Sequence, residues 1–234
     1  MIFYPIESLI KAGITDIMIV CGRDHSGQFV DLLGNGSSVD ANIVYGVQEN
    51  AGGIAEALKV AESFVGDDNC CVILGDNIFE DDIKQWVDKF QSTVDIMFSH
   101  NFSYKPIIEH CHVVCKPVPV SEAKHYGVLS DDESGYGQIH IVEKPNYLTD
   151  GHYDKDTALA VTGLYMFTSD VFRRIRELKP SPRGELEVSD LTDRYAGRGE
   201  LSFSVTDKKW WDVGISKEHL LDVAVELKNN SEII

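Results

Sequence analysis

With 21 Lys and Arg against 38 Asp and Glu in 234 residues, the chain carries a formal charge of −17 at pH 7, which argues against a general nucleic-acid binder or a partner on an anionic membrane. A chain of this length forms one large α/β domain or two small ones, and with no proline- or serine-rich linker it reads as a single domain over 1–234. No apolar run approaches membrane-spanning length, the first residues lack the basic region and cleavage site of a signal peptide, and Cys21, Cys70, Cys71, Cys111 and Cys115 read as thiols of a cytoplasmic protein, not as a disulfide framework.

The chain opens on a helix, because Ile2, Ile6, Leu9 and Ile10 recur at helical spacing and Gly13 closes the run. Asp16–Val20 predicts a strand, 28–33 a helix ended by Gly34, and 43–48 a strand finishing at Val47-Gln48. Gly52-Gly53 then turns into a helix reaching Phe64. Val72-Ile73-Leu74 runs directly into Gly75-Asp76-Asn77. An apolar run bounded by turn residues is the pattern of a strand buried on both faces, and the carboxyl end of such a strand is where an open α/β sheet holds its ligand. Asp76 at that lip is either a hard oxygen ligand suited to Mg²⁺ or the N-cap of the helix predicted over 81–90.

Beyond it, Val94–Phe98 predicts a strand, while 99–111 has no clear period. Tyr126–Leu129 and Gln138–Val142 flank a turn-rich 131–137 and predict a hairpin, closed by Glu143-Lys144-Pro145. The apolar segment Ala158–Phe167 is interrupted by Thr162-Gly163, where backbone can approach a ligand closely. A helix capped by Ser169 runs to Leu178, a rigid loop covers 180–185, and a further helix spans 187–195. Trp210-Trp211-Asp212-Val213-Gly214 forms a turn before a last helix from Ser216, with Leu220, Ala224 and Leu227 on one face. Strands alternating with helices imply a largely parallel sheet with crossover helices. His110, Cys111, His112 and Cys115 are close enough in sequence to suggest zinc, but neighbours on a strand point to opposite faces and no second cluster completes the spacing.

The ordered succession of Pro5-Ile6, Ala12-Gly13-Ile14, Val47-Gln48 before Gly53-Ile54-Ala55, Leu74-Gly75-Asp76-Asn77, Tyr126-Gly127-Val128, Glu143-Lys144-Pro145, Val161-Thr162-Gly163-Leu164-Tyr165, Pro180-Ser181-Pro182-Arg183-Gly184-Glu185-Leu186-Glu187, and Trp210 with Asp212 and Gly214 resembles the sugar-nucleotide pyrophosphorylases. Within them it is most similar to the glucose-1-phosphate thymidylyltransferases. The resemblance covers Met1 to about Leu227 and implies a single Rossmann-like nucleotide-diphospho-sugar transferase domain with a mostly parallel, mixed sheet. It implies that the phosphate of a sugar 1-phosphate, glucose 1-phosphate first, attacks the α-phosphorus of dTTP, with UTP second, and expels pyrophosphate, in dTDP-glucose and polysaccharide biosynthesis. By the family pattern, Asp76 and Asp212 hold a catalytic Mg²⁺, Gln48 and the Gly53 backbone read the base, and Gly127 and Glu143 bind sugar hydroxyls. Lys144 pairs with the sugar phosphate, the Val161 backbone completes the pocket, Asn77 contacts the sugar or its phosphate, and Tyr126 joins the substrate wall. A homo-oligomer is the implied assembly.

Each residue also has an ordinary reading: Glu143 and Lys144 as a solvated strand end, Gln48 as a loop residue, Trp210 and Trp211 as packing. The family's glycine-rich, basic phosphate loop and the first, central strand before it precede Met1 in the pattern. The resemblance therefore implies an N-terminally incomplete domain, poorly active as it stands. The alternatives are a non-catalytic sugar-nucleotide-binding relative, which the absent loop favours and the retained Asp76 and Asp212 disfavour, and a metal-dependent glycosyltransferase, which would release nucleoside diphosphate.

Overall fold

The computed structural model describes residues 1–99, 109–131, 139–145 and 156–229. Helix α1 (Phe3–Lys11) buries Pro5, Ile6 and Leu9 on one face, and Gly13, at φ 86°, turns the chain into β1 (Asp16–Gly22). Helix α2 (Ser26–Leu33) leads to β2 (Asn42–Gln48), parallel to β1. In place of one helix to Phe64 there are two, α3 (Ile54–Val60) and α4 (Glu62–Val65), separated at Ala61. β3 (Cys70–Ile73) stops short of Gly75, and the chain turns into β4 (Asn77–Phe79) before α5 (Lys84–Ser99). Asp76 therefore precedes a strand, which removes the helix-cap reading. β5 (Cys111–Pro119), a 3₁₀ segment Val120–His125, β6 (Gly127–Asp131), β7 (Ile139–Glu143) and β8 (Thr157–Phe167) follow. The chain ends in α6 (Val171–Ile175), α7 (Val188–Ala196), β9 (Leu201–Val205), β10 (Trp210–Asp212) and α8 (Lys217–Asn229).

β8 organises the main sheet. One edge pairs with β5, from Thr157 opposite Pro119 to Phe167 opposite Cys111. The other edge is shared: β3 pairs with Leu164–Phe167 and β6 with Leu159 and Ala160. Alternation along β8 builds two cores. Leu164 and Met166, with Val114, pack against Ile6, Leu9, Trp86, Phe90 and Val94 of α1 and α5. Tyr165 and Phe167, with Cys111, Val113 and Cys115, pack against Leu58, Phe172, Leu191 and Tyr195.

Several expectations need correction. Among the seven described pairings, β1–β2 and β5–β9 are parallel and the other five antiparallel, so the sheet is mixed and not largely parallel. A strand buried on both faces is apolar whichever way its neighbours run, so the pattern carries no direction. Val94–Phe98 is not a strand but continues α5: Ile83, Trp86, Phe90 and Val94 are buried at helical spacing while Ile96 is 59% exposed. The helix predicted from Ser169 shortens to α6 with Asp170 before it. On α8 the buried face is Leu220, Val223 and Leu227, with Ala224 exposed. Residues 100–108 of the irregular patch and 132–138 of the hairpin turn lie outside the described residues.

β1 and β2 form a two-stranded sheet of their own, with no described ladder to β3. A cavity of about 690 Å³ separates them, lined by Ile17–Val20 on one side and Cys70–Leu74 on the other, with Leu9 and Leu58 closing it.

Most buried polar side chains outside the cleft are paired within the fold, His110 Nδ1 and Ser189 Oγ being exceptions among the described residues. Arg174, 2% exposed, donates through Nε to Asp170 at 2.6 Å, contacts Glu109 and Glu200, and lies 3.9 Å over the Tyr195 ring. Asp170 also accepts from Thr168 at 2.7 Å and from the Tyr195 hydroxyl at 3.0 Å. His112 has Nδ1 2.7 Å from Ser202 Oγ and Nε2 3.1 Å from Ser204 Oγ, and His110 Nε2 lies 2.9 Å from Ser202 Oγ. The histidines thus face β9 while Cys111 and Cys115 face the second core, so the four candidate zinc donors do not converge.

Candidate active site

The sequence-predicted site residues come from seven elements or their ends, and one cleft of about 410 Å³ gathers nearly all of them. Gln48 ends β2, Gly53 precedes α3, Asn77 begins β4, Gly127 begins β6 after Tyr126, Glu143 ends β7 before Lys144, Val161 lies in β8 and Asp212 ends β10, and all of these line the cleft. Asp76 stands beside it, joined to Asn77 and close to Asp212. Leu74, just past the end of β3, lines the same cleft as Gln48, so the carboxyl ends of β2 and β3 face one space.

The cleft opens where β8 loses its neighbours. Between the stretches paired with β6 and β3, Val161–Gly163 keeps one bond to that edge, from Leu74 N–H to Gly163 O at 2.9 Å. Toward β5, the step from Val161 to Tyr165 faces the shorter step from Cys115 to Val113, a bulge in β8. Thr162 Oγ1 donates to Val114 O at 2.9 Å and satisfies a carbonyl that the bulge leaves without a ladder partner. The Thr162-Gly163 interruption does mark a close approach. What approaches Gly163 is the Asn77 amide, whose Oδ1 accepts the Gly163 N–H at 3.0 Å.

Asp76 and Asp212 lie far apart in sequence and meet in space. β4 and β10 pair antiparallel with Asn77 opposite Asp212, and Val213 N–H donates to Asp76 O at 2.9 Å. A Cβ placed on Gly214 would lie 2.3 Å from Asp76 Oδ2 and 3.3 Å from Asp212 Oδ1, so both carboxylates border a single point. Burial, then the neighbouring Asp76 charge, pushes the Asp212 carboxyl above its ordinary value, against a donated Gly214 N–H at 3.1 Å. Two carboxylates crowded together in a partly desolvated place are a donor set that a hard divalent cation relieves.

On the opposite wall, Gln48 Nε2 donates to Gly53 O at 3.2 Å and to Glu56 Oε2 at 2.9 Å. Both partners are acceptors, so the amide turns its nitrogen to them and leaves its carbonyl oxygen free of these two contacts. Gly53 has φ 93°, and a Cβ there would meet Leu186 O at 2.5 Å, so no other residue fits without strain. Glu143 accepts from Arg183 Nη2 at 2.9 Å and lies 3.6 Å from Lys144 Nζ. Lys144 is a non-glycine residue in the left-handed region, φ 45°, and its N–H donates to Tyr126 O at 2.9 Å. Such a conformation costs on the order of 1–2 kcal/mol and is held here at the cleft wall. Tyr126 is buried against the Trp210 ring at 5.3 Å, and desolvation raises its hydroxyl to about 12, so it stays neutral.

Arg183, which the sequence offers only as part of a longer string, also lines the cleft. It links Glu143 to Glu187, which it reaches at 2.8 Å through Nη2. Its signal was present in the Pro-Ser-Pro-Arg-Gly-Glu-Leu-Glu string. Trp210, read as packing, also donates Nε1–H to Asn77 Oδ1 at 2.7 Å.

A family model described as nucleotidyl transferase matches residues 1–230. A glucose-1-phosphate thymidylyltransferase of Neisseria meningitidis serogroup A is 33% identical over 216 residues, covering 92% of this chain and 67% of the relative. A solved structure from Bacillus anthracis, assigned as a glucose-1-phosphate thymidylyltransferase and determined with sucrose, superposes with a TM-score of 0.75 at 36% identity, covering 94% of this chain and 79% of that one. A UDP-glucose pyrophosphorylase solved with UDP-glucose has a TM-score of 0.74 at 23% identity over 97% of this chain and 86% of its own, a likeness of fold.

Proposed function

The chain belongs to the nucleotidyl transferase family, and on that premise we propose that it joins a sugar 1-phosphate, glucose 1-phosphate first, to a nucleoside triphosphate, dTTP ahead of UTP, with release of pyrophosphate. The observation that carries the reading is the pair of remote aspartates bordering one point beside the cleft.

In the reaction a phosphate oxygen of the sugar phosphate forms a bond to the α-phosphorus as the bond from that phosphorus to the β-phosphate bridging oxygen breaks. Two anions have to be aligned against their repulsion. Asp76 and Asp212 would hold Mg²⁺, which supplies charge neutralisation at the reacting phosphates. Lys144 adds a positive charge at the sugar phosphate, and its left-handed backbone turns it at the end of β7. Glu143, held by Arg183, accepts hydrogen bonds from sugar hydroxyls, with Gly127 and the Val161 backbone forming the adjoining wall. Gln48, with its amide N–H groups engaged by Gly53 and Glu56, presents a carbonyl oxygen that accepts the N3–H of thymine or uracil. Cytosine has no N3–H, so the same oxygen disfavours it. This reading places the enzyme in the cytoplasm, as a homo-oligomer, in dTDP-sugar synthesis.

The test is the protein expressed from its natural coding region, incubated with Mg²⁺ and a panel of triphosphates and sugar 1-phosphates. Pyrophosphate release with dTTP and glucose 1-phosphate is the expected outcome, abolished in Asp76→Asn and Asp212→Asn with circular dichroism unchanged. Release of nucleoside diphosphate would instead indicate a glycosyltransferase, and ligand binding without turnover a non-catalytic relative.

A further inference from the structure

We infer that Asn77 is a positioning residue for Asp76: its buried amide, clamped by β8 and β10, fixes the rotamer of that carboxylate so that one oxygen is presented toward Asp212. The inference rests on the reading of Asp76 and Asp212 as the pair that holds a divalent cation.

Asn77 is 2% exposed, and the hydrogen bonds of its amide leave it one orientation. Oδ1 accepts from the Gly163 N–H at 3.0 Å and from Trp210 Nε1–H at 2.7 Å. A backbone N–H and an indole N–H can only donate, so the oxygen must face them and the NH₂ must face the other way. There it donates to Asp76 Oδ1 at 2.9 Å. The amide therefore has at most one N–H to offer a ligand, and its main connections are internal.

The clamp is tight. A Cβ on Gly163 would come within 2.6 Å of both Asn77 Cγ and Oδ1, which leaves the amide no room to swing toward β8. Across the β4–β10 pair Asn77 sits opposite Asp212, so the residue that grips one carboxylate is in register with the other. With Asp76 Oδ1 held by the amide, Oδ2 is the oxygen nearest the Gly214 point, where Asp212 Oδ1 also arrives. A carboxylate with one oxygen fixed by a donor loses rotamer freedom before a cation binds, which is what outer partners of metal ligands contribute.

The test uses Mn²⁺ alone, titrated into the protein at pH 8 and read by electron paramagnetic resonance, with a thermal melt for each variant. Asp212→Asn is expected to lose Mn²⁺ binding. Asn77→Ala is expected to weaken it by about tenfold or more, the usual consequence of removing an outer partner. Trp210→Phe removes one donor to the amide oxygen and is expected to weaken binding less, in the same direction. Phe90→Leu, which loosens the same core at 3% exposure without touching the amide, is expected to bind Mn²⁺ as the parent does. Parent-like binding by Asn77→Ala, or a loss in Phe90→Leu as large as that in Asn77→Ala, overturns the inference while the cation pair stands. Should Asn77→Ala not fold, parent-like binding by Trp210→Phe overturns it equally. A parent that does not bind Mn²⁺, or an Asp212→Asn that does, overturns the cation reading itself and the inference with it.

Discussion

Gly214→Ala separates the cleft's chemistry from the fold's stability. Gly214 is not in the left-handed region, so its backbone accepts an alanine without strain. The added methyl carbon would lie 2.3 Å from Asp76 Oδ2 and 3.3 Å from Asp212 Oδ1. Ordinary contact begins near 3.4 Å, so the Asp76 carboxylate must withdraw by about 1 Å, a displacement that can cost a rate about 100-fold, or about 2.7 kcal/mol. The group that moves is the end of a side chain, so unfolding should change by less than about 1 kcal/mol. Withdrawal also stretches the bond from Asn77 Nδ2, 2.9 Å long in the native site. The assay is pyrophosphate release at saturating Mg²⁺ beside a urea melt, with Mn²⁺ titration as a readout independent of turnover. Native turnover and native Mn²⁺ affinity in a variant of native stability would refute the convergence of the two carboxylates on one cation.

Three further outcomes are expected. Gly127→Ala meets only Glu143, Ile141 and Ser189 at ordinary distances of 3.6–3.7 Å. It should leave the urea midpoint within about 0.5 kcal/mol of native yet raise KM for the sugar phosphate by about tenfold or more, since a methyl on a pocket wall discriminates on that scale. Arg174→Ala leaves the carboxylate of Asp170, 1% exposed, without its principal charge partner and should lower the unfolding free energy by about 3–5 kcal/mol, measured in urea. Burial lowers His112 to about 4 and lowers His110 as well. Both then bind protons more readily unfolded than folded, so stability is full above the unfolded value near 6.5 and is lost as pH falls below it, for His112 down to about 4, by at most about 1.4 kcal/mol per unit for each; His112→Asn should flatten that slope in urea melts between pH 7 and 5.

Elements that bury one face or two were readable from the residues. The α1 period, the β2 ending at Gln48 and the apolar β8 all stand where the pattern put them. Val94 misled because a short apolar run is ambiguous by itself, and what decides it is the phase inherited from Ile83 and Trp86. The antiparallel partners of β8 were invisible because burial on both faces is the same for either direction. No spacing rule joins Asp76 to Asp212; that link came from resemblance to a family and needs the β4–β10 pair to exist. Nor does any local pattern show that Asn77, expected to contact the sugar or its phosphate, also bonds to Gly163 and Trp210, 86 and 133 residues away.

The opening between β1 and β3 has a consequence for how the molecule breathes. Among the described residues the β1–β2 ribbon has no ladder to the main sheet and meets it through helices, so in this chain it can open while the β5–β8 pair stays shut, and its amides should exchange with deuterium first. Gln48 rides at the tip of that ribbon, whereas Lys144 follows β7, itself laddered to the main sheet through β6. The nucleobase would then dock on the yielding wall and the hexose on the stiff one, so a triphosphate should slow deuterium uptake in residues 16–48 far more than a sugar phosphate does.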